Sequence, residues 1–110
     1  MMKTLLPQLA LSLAFAIGTC AEPIHVLVWD ERQPRQAEAY DNFLGNEIAK
    51  RLKESAEDLE IRSVAMGDPE QGLSAENLDW AKVIIWWGHV RQGEVTPETV
   101  QQRIMPRLKA

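Results

Sequence analysis

Two short segments carry the residues that could do chemistry. Trp29-Asp30-Glu31 closes the apolar run "IHVLVW", and Trp87-Gly88-His89 closes "VIIWW". Together they offer indole rings, two carboxylates, a glycine and an imidazole. An imidazole titrates near neutral pH and can act as acid, base or metal ligand. Indoles give flat apolar walls with one donor, a surface on which sugar rings can lie. Gly88 permits a backbone conformation or a close approach that a side chain would block. On this pattern His89 and Glu31 are the candidate acid/base groups, and Trp29, Asp30, Trp87 and Gly88 the candidate substrate contacts. His89 is the one plausible metal ligand, so a divalent metal is compatible with the pattern although no cofactor is specified. The bland alternatives stand beside these. Strand alternation makes Trp86 a core residue, Asp30 and Glu31 could form a solvated loop capping the next helix, and Asp68 and Glu70 read as surface. His25 falls at the opposite end of its strand and reads as structural. There is no glycine-rich phosphate loop, no G-x-S-x-G and no paired-histidine metal spacing, so no complete catalytic constellation is visible.

The elements that must position these residues alternate. "IHVLVW" (24–29) is short and rich in β-branched residues, apolar on both faces as in a buried parallel strand. Ala37, Tyr40, Leu44, Ile48 and Leu52 make one apolar stripe and predict a helix over 36–55. "LEIRSVA" (59–65) alternates and reads as a strand nearer an edge. Ser74 can cap a short helix at 75–79. "KVIIWW" (82–87) is a third strand. Thr96 and Pro97 open a last helix with Val100, Ile104 and Leu108 inward, which Pro106 should kink or end. This order predicts an α/β layer with a parallel sheet and right-handed crossovers. With strand 1 central the spatial order is 2-1-3, and the strand-end residues meet at the switch point where open sheets bind ligands. Three strands and two substantial helices are few for a doubly wound sheet, and the chain stops where a fourth strand is expected. The sequence therefore reads as the first part of a larger domain, apparently truncated after three strands. The alternative is a minimal domain completed by self-association through the open sheet edge.

The chain has 110 residues, a formal net charge of -4 and one cysteine, Cys20. It holds no basic, aromatic-interleaved run, so nucleic acid is not an expected partner. Lys3, the apolar stretch Leu9–Ile17 and the small residues Thr19 and Ala21 predict a signal peptide over 1–21. That stretch is short for a bilayer span, which sets a membrane anchor behind it, and Thr19 is a poor match to the small residue that a lipoprotein signal at Cys20 needs before it. A periplasmic or secreted protein is expected, with no cysteine left after cleavage.

The segments "VLVWDERQPRQAEAYDNFLGNEIAKRL", "DPEQGLS" and "VIIWWGHV" resemble the ThuA-like family, named for trehalose utilisation, over residues 24–105. The resemblance implies a flavodoxin-like fold related to class I glutamine amidotransferase domains, with residues 22–110 as the amino-terminal part of such a domain. Members carry a further histidine-containing segment after a fourth strand, and many have asparagine where this chain has Asp30. The residues carried over are Trp29, Asp30 and Glu31 of the first motif and Trp86, Trp87, Gly88 and His89 of the second. The resemblance implies a link to carbohydrate metabolism, with a small-molecule sugar or glycoside as partner. A non-catalytic carbohydrate-binding or accessory module, or an inactive fragment, are the competing expectations.

Overall fold

The structure is a computed structural model that describes residues 21–109. The expected signal peptide lies, but for Ala21, outside the described residues. Three strands, β1 (Ile24–Asp30), β2 (Leu59–Ala65) and β3 (Val83–Trp87), form one parallel sheet in the order β2-β1-β3. The central place of β1 follows from its composition. Val26, Leu27, Val28 and Trp29 are all buried, which requires cover on both faces. On one face Val26 and Val28 pack with Ile61 and with Ala49, Ile48 and Leu52 of α1 (Leu44–Ser55). On the other, Leu27 and Trp29 pack with Val64, Met66 and Leu73, with Leu78 of α2 (Ala75–Trp80), and with Val95. Val100 and Ile104 join this second face from a wide π turn (Thr99–Ile104) that runs into α3 (Met105–Lys109). Both faces of β1 thus have helical cover.

The caps expected at two helices form. Ser74 Oγ accepts from Asn77 N at 3.1 Å, and Thr96 Oγ1 accepts from Thr99 N at 3.2 Å. Three details depart from the sequence reading. The helix expected over 36–55 begins only at Leu44. Pro34 starts a separate 3-10 turn, Pro34–Glu38, and Phe43 takes a left-handed φ of 62° that no helix tolerates. Ala37 and Tyr40 are accordingly exposed rather than part of the apolar stripe. Pro106 does not end the last helix. Proline lacks the N–H for an i→i−4 bond and its ring crowds that carbonyl; the widened winding just before it changes the spacing, and the helix continues to Lys109. Leu108, expected inward, is exposed.

Candidate functional site

Because β1 and β3 are parallel neighbours, their carboxyl ends coincide. Asp30 pairs with Trp87 in register, and Glu31 N donates to Trp87 O at 3.2 Å. The expected residues are therefore brought to one end of the sheet. Neither Asp30 nor Glu31 lines an open crevice there, since each is 1% exposed.

Asp30 ties β1 to the start of α1. Its Oδ1 accepts from Arg32 N at 2.7 Å and Gln36 Nε2 at 2.9 Å, and its Oδ2 accepts from Gly45 N at 2.7 Å. Gln36, itself buried, accepts from Leu44 N at 2.8 Å. Two free N–H groups of the helix start are thus satisfied from outside the helix. A Cβ on Gly45 would lie 2.6 Å from Asp30 Cβ, which is why glycine stands there.

Glu31 turns the other way, under the segment that follows β3. Its Oε1 accepts from His89 N and, at 2.9 Å, from Val90 N; its Oε2 accepts from Arg91 N at 2.6 Å and Gln33 Nε2 at 3.3 Å. Burial pushes its pKa up, but the bonds from His89, Arg91, Gln33 and Val90 outweigh that and hold it below the ordinary value. A carboxylate so engaged is a weak base with no free face for a ligand.

The indoles divide unexpectedly. Trp29 is fully buried, donates from Nε1 to Gln71 O at 2.8 Å, and has no face to offer a substrate. Trp86, which strand alternation makes a core residue, stacks on Trp29 at 3.9 Å and is 40% exposed. Both lie on the same sheet face, but β1 is central and β3 is at the edge. Trp87 is half-buried on the opposite face, and its ring lies 6.4 Å from that of His89, which is exposed. Gly88 serves close approach: a Cβ there would fall 2.5 Å from Gln92 Oε1 and 2.9 Å from Trp86 Nε1. His25 lies at the far end of β1, its Nδ1 3.0 Å from Trp80 O and its ring stacked on Trp80 at 4.4 Å.

Gln36 and Gln71 are the residues that sequence reasoning missed. Gln71 receives the Trp29 indole on its carbonyl, donates from Nε2 to Glu94 O at 2.7 Å, and accepts from Thr96 N at 3.2 Å. It joins the loop after β2 to the loop after β3. Glu70, Gln71 and Gly72 have φ of 55°, 59° and 73°, and only the glycine announces such a turn in sequence. Arg32 and Phe43, also at positive φ, flank the same end of the sheet. Strained backbone of this kind persists where surroundings over-determine it, commonly near functional sites.

A depression of about 460 Å³ lies beyond β2 among Asp68, Glu70, Ser74, Glu76 and Asn77, away from Trp87 and His89. Asp68, read as surface, accepts from Ala65 N at 2.8 Å and closes the turn after β2. Among the described residues no three of His, Cys, Asp and Glu are grouped so as to hold a metal ion; Glu31, the carboxylate bonded to His89 N, is taken up by that amide and those of Val90 and Arg91. No helix of the described residues is long and apolar enough to cross a membrane. A scan against protein-family models and a search of curated proteins found no match for this chain.

Proposed function

We propose that residues 24–105 belong to a ThuA-like domain of flavodoxin-like, class I glutamine amidotransferase-like topology. The protein is exported to the periplasm or beyond and acts in the use of trehalose or a related glycoside. Its working group is His89, with Trp87 beside it as apolar wall. The parallel order β2-β1-β3 supports the topology. One observation carries the site: His89 is exposed at the carboxyl end of β3, with its backbone N–H held by buried Glu31. In this reading Asp30 and Glu31 shape the site, and Gly88 lets Gln92 and Trp86 close against it.

The test is turnover of trehalose and of aryl glycosides by the full chain and by His89→Ala. Loss of a general acid or base costs about a hundredfold or more in rate. Equal turnover in both proteins would remove His89 from the chemistry. A second reading, a non-catalytic carbohydrate-binding module, draws on the consumption of both carboxylates, which leaves His89 no free acidic partner from β1. Sugar binding without turnover, unchanged in His89→Ala, would favour it.

A further inference from the structure

We propose that Glu31 is a positioning residue, an internal anion seated in a cradle of three successive backbone N–H groups, and that it fixes where His89 stands. The amides of His89, Val90 and Arg91 all converge on its carboxylate. Successive N–H groups aimed at one point form a concave anion seat. Here the chain fills that seat with a side chain 58 to 60 positions away in sequence. The Glu31 main chain adds to the hold, since its N–H donates to Trp87 O at 3.2 Å. One residue therefore grips the β3 segment on both sides of Gly88, through its backbone before the glycine and its carboxylate after it.

Other groups secure the same turn from outside. Gln33 Nε2 reaches Oε2 at 3.3 Å, and the Arg91 side chain is drawn away to Glu94, at 2.7 Å. The Arg91 guanidinium hydrogen-bonds Glu94, and it is the Arg91 main-chain N–H that meets Glu31. A cradle built from backbone is indifferent to the side chains it carries. His89 is therefore free to face solvent while its Cα is pinned. The significance for catalysis rests on His89 being the working group. The cradle itself is measured without substrate, so the two ideas fail separately.

The experiment uses the full chain as wild type, Glu31→Ala and Glu31→Gln. Amide hydrogen exchange is followed residue by residue, with acetate as the probe anion. In Glu31→Ala the amides of His89, Val90 and Arg91 should exchange roughly tenfold faster or more, while those of Val26–Trp29 keep their protection. The His89 ring resonances should shift and those of His25 should not. Added acetate should slow the three amides and return the His89 resonances towards wild type. Glu31→Gln, with one accepting oxygen, should fall between the two. Unchanged exchange at 89–91 in Glu31→Ala would overturn the proposal. So would loss of β1 protection in both variants, which would make Glu31 a general packing residue, or recovery of neither signal in acetate.

Discussion

Asp30 and Glu31 are adjacent, equally buried carboxylates that hold different parts of the protein. Alternation along the chain sends one towards α1 and the other under the segment after β3. Removing either leaves N–H groups behind, and a buried unsatisfied group costs about 1–3 kcal/mol. Asp30→Ala is expected to lose at least about 2 kcal/mol in urea unfolding, and Asp30→Asn less, because one amide oxygen still accepts. Equal losses would show that the amide oxygen of asparagine recovers none of the hydrogen bonds to Gly45 and Gln36, and that the ionised carboxylate is required. Glu31 also sets a pH dependence. Its folded pKa lies below the ordinary 4.5, so the unfolded state binds its proton first as pH falls. Its contribution is complete above the ordinary value and is lost as pH drops through the lower folded value. Stability measured from about pH 7 to about pH 3 should fall more steeply in wild type than in Glu31→Gln. Parallel acid limbs would assign the acid sensitivity to other carboxylates. A cap on the next helix is one reading of "WDER", and Asp30 supplies it from a buried rather than a solvated position. The four letters mark a strand end and a candidate site, but which oxygen meets which amide depends on residues 15 and 58 to 60 positions away.

The strands and the two capped helix starts could be read from the chain because local chemistry decides them. β-branched runs bounded by polar loops gave β1 and β3, and Ser74 and Thr96 announced the helices they cap. The start of α1 could not, because its determinants are tertiary. Tyr40, Leu44 and Ile48 keep helical spacing, yet Gln36 is drawn to Asp30 and Leu44 while Phe43 is forced to positive φ. Spacing alone cannot register a side chain recruited from another strand. Gly45 tests this account. Alanine is the better helix former, by about 1 kcal/mol, and on local grounds Gly45→Ala should stabilise. A Cβ would sit 2.6 Å from Asp30 Cβ and 2.9 Å from its Oδ2. Overpacking of that kind typically costs about 1–3 kcal/mol, so net destabilisation is expected by thermal unfolding. A raised melting temperature would mean that α1 shifts away from β1 at little cost, and that Asp30 does not fix where the helix begins.

Across the whole molecule, burial is uneven in a way that the pattern of "VIIWW" anticipates. β1 is sealed on both faces. β3, just as apolar, has no strand on its outer side among the described residues, and Val83 and Trp86 are 44% and 40% exposed. Val90 beyond it is 69% exposed. An unpaired apolar edge offers a row of N–H and C=O groups to any strand that can align with it. The Trp86 ring is already stacked on Trp29, so a pairing strand would meet an ordered surface. The expected outcome is self-association of the full chain through β3, rising with protein concentration in sedimentation velocity. Val83→Lys should shift it towards monomer, because a charge on an edge strand opposes pairing. Val83 stands at the amino end of β3, away from His89, and the Trp29–Trp86 stack should survive; near-ultraviolet circular dichroism reports whether it does. A wild-type chain that stays monomeric at every concentration, with the same stack signal, would show that this edge is protected by its own twist and side chains and needs no second strand.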